Sequence, residues 1–332
     1  MNILQTGGTG YIASHTAVEL IEAGHNVVLF DNLSNSRRDV VDRLKKITQK
    51  DITFIEGDIR DTSLLSKTIK AHQVDAVIHF AGLKAVRESL EKPLEYFDNN
   101  VGGTISLLNA MKKNKVNSLV FSSSATVFGE PQYLPIDEDH PTSSTNPYGR
   151  TKLHIEEMLQ DVAESEPSLG VICLRYFNPV GAHESGLKGE NPTGIPNNLI
   201  PFVSQVAAGI RPKVYVFGKD YPTADGTGVR DYIHVLDLAA GHLAAINLLA
   251  TEKVWYAINL GTGCGSSVLE MINQFALSSG KPVPYEVVDR RPGDVASCYA
   301  SANKAEKLLN WKATRDLKPM CASAWKWQES LK

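Results

Sequence analysis

A glycine-rich turn close to the first residue constrains the fold of this chain more than any other feature. A short apolar segment from Asn2 runs into the pattern Gly8-x-Gly10-x-x-Ala13, and a helical pattern follows that Gly24 ends. The turn fits the dinucleotide-binding fingerprint with alanine in its third place. Its glycines allow close backbone approach to a pyrophosphate, which the helix N-terminus attracts. Taken alone, the turn is equally compatible with an ordinary strand-to-helix connection.

A second predicted strand favours the dinucleotide site. Asn26–Phe30 is apolar and leads to Asp31, about 20 residues after the glycines. A carboxylate at this place accepts hydrogen bonds from the adenosine ribose and repels a 2′-phosphate. Arg37 and Arg38 would suit a 2′-phosphate, but they fall in a polar stretch where solvated side chains are expected. The predicted cofactor is therefore NAD rather than NADP.

Apolar strands and amphipathic segments alternate along the first half of the chain. Further strands are predicted over residues 52–55, 75–82, 118–124 and 170–176. Near-continuous apolar strands separated by helices are typical of a doubly wound parallel sheet, a Rossmann-type α/β fold. Ligands of such sheets bind beyond the carboxyl ends of the strands. Asp58, Gly82 and Ser124 fall at those ends, and we expect them to line one crevice.

The composition of the sequence changes after Tyr176. Residues 177–232 are rich in Gly, Pro and Asn, with one helical stretch at 199–208; a helix near 236–249 and a strand at 257–260 look able to rejoin the sheet. Residues 282–293 read as a loop and 302–309 as a late helix. We therefore expect an NAD-binding Rossmann domain over 1–177, to which 233–261 return. Residues 178–232 and 262–332 would form a smaller, discontinuous C-terminal substrate lobe.

Composition and charge exclude several classes of protein. The net charge of −3 over 332 residues leaves no basic footprint for nucleic acid. The four cysteines show no CxxC or metal-ligand spacing, which is typical of reduced thiols in a cytoplasmic protein. No signal peptide and no apolar run near the roughly 20 residues of a membrane span are evident, so no membrane partner is expected. No histidine pair has metal spacing, so no metal site is expected.

A tyrosine and a lysine stand one helical turn apart, at Tyr148 and Lys152. Side chains four residues apart share a helix face, so the ammonium can lie beside the phenol. A cation there lowers the pKa of the phenol from about 10, which would let it accept a proton from a sugar hydroxyl. The pair alone is weak evidence, but a serine run ending at Ser124 precedes it.

Several segments together resemble the extended short-chain dehydrogenase/reductases and, essentially from end to end, the UDP-galactose 4-epimerase family. The segments that carry the resemblance are Thr6–Ile12, His79–Lys84, Ser122–Thr126, Tyr148–Lys152, Arg175–Pro179 and Arg230–His234, with Asn191–Asn198 and Gly226–Arg230 as the more specific ones. The resemblance implies a homodimer in which helices near 93–113 and 148–163 pair with their copies.

The resemblance also implies a reaction. Tyr148 would take the proton from sugar O4 while C4 passes its hydride to NAD, and Ser124 would hydrogen bond at that oxygen. Lys152 would bind the nicotinamide ribose and hold down the pKa of Tyr148. The 4-keto sugar would turn over, and the hydride would return to its opposite face. Besides these three residues, the implied NAD contacts are Gly7, Gly10, Tyr11, Ile12, Asp31, Asn32, Asn35, Ser36, Asp58, Ile59, Phe80, Ala81, Gly82, Lys84, Asn99 and Phe177.

The implied UDP-sugar contacts lie mainly in the second half of the chain. Besides Ser124 and Tyr148 they are Asn178, Asn198, Leu199, Tyr215, Val216, Phe217, Arg230, Arg291, Asp294 and Cys298. The two arginines suit the pyrophosphate, although Arg230 could equally pair with the adjacent Asp231. Cys298 stands where narrow-specificity members carry tyrosine, so we expect UDP-N-acetylglucosamine and UDP-N-acetylgalactosamine to interconvert as well.

Other functions remain open at this stage. Dehydratases and decarboxylases of the same superfamily carry acidic residues after the serine, and Ala125 and Thr126 disfavour both. A net dehydrogenase that releases its reduced cofactor and a catalytically silent NAD sensor are the remaining alternatives. Two departures from the family pattern, Ala13 and an amide at Gln5 in the first strand, are expected to loosen the cofactor site slightly.

Overall fold

A computed structural model describes residues 1–192, 194, 196, 198–291 and 293–331. Two compact units emerge, and both are discontinuous in sequence. The first unit consists of Met1–Gly129, Pro141–Tyr176 and Ala239–Ile258, and the second of Glu130–His140, Phe177–Leu238 and Asn259–Lys332.

A seven-stranded sheet forms the centre of the first unit. Its strands are β1 (Asn2–Thr6), β2 (Asn26–Asp31), β3 (Thr53–Glu56), β4 (Ala76–His79), β5 (Ser118–Ser124), β6 (Gly170–Tyr176) and β10 (Trp255–Leu260). Their order is β10-β6-β5-β4-β1-β2-β3. The neighbouring pairs from β3 through β6 run parallel. The chain order reverses beside β1, so the predicted doubly wound Rossmann-type fold is confirmed.

Helices connect these strands. They are α1 (Tyr11–Glu22), α2 (Asp39–Thr48), α3 (Thr62–Ala71), α4 (Val86–Glu91), α5 (Pro93–Tyr96), α6 (Gly103–Lys113), α7 (Pro147–Ser165) and α9 (Val235–Thr251). A π-helical segment, Phe97–Gly102, joins α5 to α6, and a 3₁₀ turn, Ala125–Val127, follows β5. The helix α7 begins at a proline after Asn146, whose Oδ1 accepts a hydrogen bond from the N–H of Gly149 at 2.9 Å. This cap fixes the start of the helix that carries Tyr148 and Lys152.

The core of the first unit explains why its strands read as unbroken apolar runs. Leu119, Val120 and Phe121 of β5 are each fully buried, although successive side chains point to opposite faces of a strand. Both faces of the sheet must therefore be apolar. Leu107 of α6 and Leu159 of α7 belong to the cluster that covers one face. Buried polar side chains such as His79, Ser123 and Arg175 lie towards the carboxyl ends of their strands, where chemistry is possible.

Over its described residues, the second unit consists of short strands and helices. The strands are β7 (Asn178–Val180), β8 (Val214–Phe217), β9 (Val229–His234), β11 (Gly265–Ser267), β12 (Tyr285–Val288) and β13 (Ser297–Cys298). The helices are α8 (Leu199–Ala207), α10 (Val268–Ser279), α11 (Asn303–Leu309) and α12 (Leu317–Glu329). The strand β9 pairs antiparallel with β11 and parallel with β7 and β13.

Two boundary predictions were wrong. The segment 282–293, expected to be a loop, contains β12, which pairs in parallel with β8 from Tyr285 opposite Val214 to Val288 opposite Phe217. The strand expected over 75–82 ends at His79, so Ala81 and Gly82 lie in the loop that follows it. In the first case a long-range pairing makes the strand; in the second the backbone leaves the sheet before the apolar run stops.

Candidate active site

The glycine turn brings the loops after β1 and β4 into close contact. Gly7 has a φ of 65°, and a Cβ on it would lie 2.7 Å from the backbone N of Ala81. Only glycine fits this conformation and this approach. Gly10 caps α1 and, having no side chain, makes no side-chain hydrogen bond to the first turn of the helix. The turn thus has the shape and the polarity that a pyrophosphate requires.

Asp31 ends β2 in a fixed orientation. Its carboxylate accepts hydrogen bonds from the N–H of Thr9 at 3.1 Å, the N–H of Leu33 at 2.8 Å and the hydroxyl of Ser36 at 3.1 Å. The residue is only 8% exposed. A negative charge therefore stands beside the glycine turn, at the place where the fingerprint puts the ribose-binding acid.

Asp58 and Asn32 form a second polar group at this edge of the sheet. The amide of Asn32 donates to Asp58 at 3.3 Å, and Arg60 donates to the same carboxylate at 2.8 Å. These bonds, chiefly those from Arg60, hold the pKa of Asp58 well below its usual range. Both residues follow the carboxyl ends of strands, and this position was expected for Asp58.

Asn100 is a residue that the sequence did not single out. Its amide accepts from the N–H of Leu83 at 2.8 Å, donates to the carbonyl of Leu83 at 3.0 Å and donates to the hydroxyl of Thr151 at 3.0 Å. It therefore ties the loop after β4 to the helix α7. The π-helical segment that holds Asn100 has no sequence pattern by which this residue could have been found.

The predicted cofactor residues fall almost entirely in the first unit. The turn after β1 holds Gly7, Gly10, Tyr11 and Ile12; the segments after β2 and β3 hold Asn32, Asn35, Ser36, Asp58 and Ile59; the loop after β4 holds Phe80, Ala81, Gly82 and Lys84; and the π-helical segment holds Asn99. Phe177 follows β6 and belongs to the second unit. Gln5 is fully buried in β1, and neither of its side-chain polar atoms has a hydrogen-bond partner among the described residues.

Ser124 is the last residue of β5, and its hydroxyl oxygen accepts two hydrogen bonds from Thr126. The N–H of Thr126 lies 3.2 Å from this oxygen and its Oγ1 lies 3.0 Å from it. Burial raises the pKa of Tyr148 above 10.0, and a hydrogen bond with the hydroxyl of Ser124 lowers it in part. Ser124 and Tyr148 therefore lie together, as the sequence predicted.

Lys152 does not act on Tyr148 in the way expected from the sequence. Its Nζ donates to the carbonyl oxygen of Ser122 at 2.6 Å and lies 4.7 Å from the centroid of the Phe121 ring. The expectation that Lys152 holds the pKa of Tyr148 below its usual value is wrong for the protein by itself, because desolvation of the buried phenol outweighs any lowering. Burial likewise lowers the pKa of Lys152 to about 8.

His79 has a structural role. Its two ring nitrogens are hydrogen bonded to the hydroxyls of Thr6 at 2.6 Å and Thr104 at 2.9 Å. Burial is the main cause that lowers the pKa of His79 to about 3, so the ring is neutral. Within the part of the chain that the structure describes, no group of His, Cys, Asp and Glu has an arrangement able to hold a metal ion.

Three charged residues of the expected UDP-binding set converge in the second unit. Arg291 donates from Nε to Asp294 at 2.9 Å, and its guanidinium lies 4.7 Å from the centroid of the Phe217 ring. Arg230 lies 3.8 Å from the same carboxylate. The alternative pairing of Arg230 with Asp231 is wrong, since Asp231 accepts instead from Thr262 at 2.6 and 2.8 Å.

The residues expected at the uracil and the sugar also belong to the second unit. Val216 is buried in β8, whereas Tyr215 and Phe217 are 43% and 37% exposed. Cys298 pairs with Arg230 across β13 and β9, and burial raises the pKa of its thiol to about 11. The thiol is therefore neutral at physiological pH.

The remaining expected contacts stand at the starts of elements. Asn178 is exposed at the start of β7, and Leu199 begins α8 directly after Asn198, whose amide donates to Glu190 at 2.7 Å. Within the specific segment Asn191–Asn198, residues Thr193, Ile195 and Asn197 lie outside the described residues. The helices in the described part of the chain are all too short or too polar to cross a membrane.

Comparison with known proteins places this geometry in a family. The family model described as GDP-mannose 4,6 dehydratase matches residues 4–324. The UDP-glucose 4-epimerase of Bacillus subtilis is 54% identical over 99% of this chain and 97% of its own length. That of Dictyostelium discoideum is 55% identical over 98% of this chain and 95% of its own. The chain belongs to the UDP-glucose 4-epimerase family.

Solved structures of UDP-glucose 4-epimerases agree with this assignment. The enzyme from Stenotrophomonas maltophila, crystallised with NAD and formylated UDP-arabinopyranose, matches with a TM-score of 0.98 at 51% identity, covering 100% of this chain and 98% of that one. The enzyme from Bifidobacterium longum, in complex with NAD+ and UDP, matches with a TM-score of 0.96 at 52% identity, covering 99% and 98%. The family resemblance predicted from the sequence segments is therefore confirmed.

Proposed function

We propose that this protein is an NAD-dependent isomerase that inverts C4 of UDP-hexoses and so interconverts UDP-galactose and UDP-glucose. The observation that carries the proposal is the intact group of Ser124, Tyr148 and Lys152 at the end of β5 and the start of α7, in a chain of the UDP-glucose 4-epimerase family. A silent NAD sensor has no need of all three side chains.

The residues of the glycine turn fit NAD. Gly7 has no Cβ to fill the space at the turn, so the backbone can approach a pyrophosphate, and the N-terminus of α1 follows directly. The carboxylate of Asp31 can accept hydrogen bonds from free ribose hydroxyls. When bound, NAD supplies the acceptor for the C4 hydride and a positive nicotinamide ring beside the phenol. Asp31 would exclude the 2′-phosphate of NADP by repulsion.

The proton steps belong to Tyr148 and Ser124. Tyr148 takes the proton of the sugar O4 as C4 is oxidised and returns it when C4 is reduced. Ser124 donates its own proton at that oxygen, since Thr126 occupies its acceptor positions. The keto sugar exposes its opposite face between the two steps, and the product is the C4 epimer.

Lys152 binds the nicotinamide ribose in this proposal. With NAD bound, its positive nicotinamide ring would offset the burial that raises the pKa of the Tyr148 phenol. The lowered pKa of Lys152, about 8, implies that the charge of its ammonium is lost in mildly alkaline solution.

The UDP moiety would be held by the second unit. Arg230 and Arg291 would grip the pyrophosphate, Asp294 the uridine ribose, and Phe217 with its neighbours Tyr215 and Val216 the uracil. Asn178, Asn198 and Leu199 would contact the diphosphate and the sugar.

The small side chain of Cys298 suggests a wider substrate range. The thiol is far smaller than a tyrosine side chain, and it would leave room beside the C2 substituent of the sugar. An N-acetyl group would then fit, so UDP-N-acetylglucosamine and UDP-N-acetylgalactosamine are proposed as further substrates.

Elimination in place of epimerisation is disfavoured, although the matching family model takes its description from a dehydratase. Thr126 stands where an acid would be needed, and its hydroxyl is used in the hydrogen bond to Ser124. The site therefore has no carboxyl group at this position to carry the proton transfers of water loss.

The protein is further proposed to work as a cytoplasmic homodimer. A groove of about 210 Å³ between α6 and α7 is lined by apolar residues such as Leu108 and Met158, and Ile105 beside it is 45% exposed. Burying this face against a second copy would remove it from water. Light scattering should give twice the chain mass of 36.3 kDa; the mass of a single chain would contradict it.

The reaction itself is tested with purified protein and UDP-galactose, with no cofactor added. Nuclear magnetic resonance should show UDP-glucose accumulating to equilibrium. A keto-deoxy product would indicate a dehydratase. Reduced cofactor accumulating with substrate would indicate a net dehydrogenase, and no turnover with NAD bound would indicate a sensor.

A further inference from the structure

A buried ion pair joins the helix α7 to the strand β6 and has no part in the proposed proton steps. The side chains of Arg175 in β6 and Glu156 in α7 are 6% and 3% exposed. Arg175 donates to Glu156 from Nη2 at 2.7 Å and from Nε at 3.1 Å, and the hydroxyl of Ser123 donates to the same carboxylate. Every bond in this cluster fixes the carboxylate of Glu156.

Glu156 stands one helical turn after Lys152, so the two side chains share a face of α7. The sheet supplies the two residues that hydrogen bond to Glu156. Ser123 and Arg175 are directly paired across β5 and β6, and both strands pack against α7. One carboxylate is therefore paired with Arg175 and stands one helical turn from Lys152, and both cations are buried.

The charged state of Lys152 depends on this carboxylate. Burial lowers the pKa of Lys152 to about 8, and the charge of Glu156 is the largest influence that raises it. Among the other titratable groups on the neighbouring strands, Arg175 of β6 is charged and paired with Glu156, whereas His79 and Cys173 are neutral. Burial keeps His79 of β4 unprotonated and raises the pKa of the Cys173 thiol of β6.

Packing alone gives no reason for an ion pair here. Buried pairs cost several kcal/mol of desolvation per ion, and apolar side chains of similar volume often stabilise a protein as well or better. An apolar pair could not place a negative charge beside Lys152. The relevant property of Glu156 is thus its charge and its fixed position.

We infer that Glu156, held by Arg175 and Ser123, is a positioning residue of the epimerase reaction that keeps the ammonium of Lys152 charged. The inference rests on the proposed function for its catalytic consequence. Its physical content, the protonation of Lys152, stands independently of turnover.

The test uses the full-length protein with its bound cofactor and two variants. The double variant Glu156→Gln/Arg175→Met removes both charges while leaving an acceptor for Ser123, and Glu156→Gln alone is the second variant. Glu156→Asp is the matched control, since it keeps the charge. Thermal unfolding and the NAD content of each preparation establish that the variant is folded.

Two readouts follow the charge of Lys152. The first is the pH dependence of kcat, whose alkaline limb should move down by about one pH unit or more in the neutral variants and stay in place in Glu156→Asp. The second is the ¹³Cε signal of labelled Lys152, assigned by its loss in Lys152→Met, whose titration should shift in the same direction.

A purely structural pair predicts a different result. The folded double variant would then keep the wild-type alkaline limb and the wild-type Lys152 titration, and either result overturns the inference. In the wild-type protein, a Lys152 signal that titrates well below pH 7 overturns it as well, whether or not the variants fold. If the wild type does not turn over UDP-galactose, the proposed function fails while the titration still decides the role of Glu156.

Discussion

Thr126 directs the hydroxyl of Ser124. Its N–H and its Oγ1 both donate to the Ser124 oxygen, at 3.2 and 3.0 Å. With two donors on its oxygen, Ser124 has its own proton available for another acceptor, and its hydroxyl hydrogen bonds with Tyr148. In the proposed mechanism Ser124 therefore acts as a hydrogen-bond donor to the reacting oxygen, and Tyr148 acts as the base.

Replacing Tyr148 with phenylalanine tests that assignment. The variant keeps the ring and removes the group that accepts the O4 proton, so kcat should fall by about 10²-fold or more. The NAD content should not change, because the glycine turn and Asp31 are the main proposed NAD contacts. Turnover within a few-fold of the wild type, with the variant folded and loaded, would remove Tyr148 from the mechanism.

Cofactor choice should follow from Asp31. Its carboxylate is held by Thr9, Leu33 and Ser36, so it cannot turn away from a 2′-phosphate without losing three hydrogen bonds. Protein stripped of cofactor should regain activity with NAD and not with NADP. Finding NADP among the molecules released on denaturation would overturn the role given to Asp31.

The pair Arg290 and Arg291 offers a matched comparison for UDP binding. Arg291 contacts Asp294 and Phe217, whereas Arg290 contacts Asp220 and Tyr221. Losing a charge-assisted hydrogen bond costs about 1.5–3 kcal/mol, so Arg291→Ala should weaken UDP binding by about 10- to 100-fold. Calorimetry should show Arg290→Ala binding UDP within about twofold of the wild type. Equal effects of the two substitutions would argue against the specific role of Arg291.

Substrate range should respond to Cys298. In Cys298→Tyr the larger side chain fills the space beside the sugar C2, so turnover of UDP-N-acetylglucosamine should be lost while that of UDP-galactose is kept. Cys298→Ser, which preserves the size, should keep both activities. No N-acetyl turnover in the wild type, or an equal loss of both activities in Cys298→Tyr, would show that this position does not set the range.

Much of the first unit was readable from the sequence because its strands are buried on both faces. The predicted bounds of β5 and β6 agree with the structure, since both runs are apolar or small except for Arg175 and Tyr176 at the end of β6. The strand β12 was not predicted, because three of its four side chains are exposed and its partner β8 lies about 70 residues earlier in the chain. The π-helical segment before α6 likewise has no periodicity to reveal it.

The candidate site likewise has features that the sequence predicts and features that only the structure shows. The positions of Asp31, Ser124 and Tyr148 follow from strand ends and a helix start, which sequence patterns mark. The pKa of Tyr148 was predicted with the wrong sign, since spacing shows the neighbouring cation but not the depth of burial. The hydrogen bonds of Asn100 and Glu156 join segments far apart in sequence, so only the structure shows them.

Transfer of hydrogen at C4 tests the central claim most directly. UDP-galactose carrying deuterium at C4 is incubated with the purified protein in ordinary water, with no cofactor added. Because the same hydride leaves C4 and returns to it, the UDP-glucose formed should retain deuterium at C4, and no reduced cofactor should be released. Loss of the label to water, or its accumulation in free reduced cofactor, would contradict epimerisation by transient oxidation at this site.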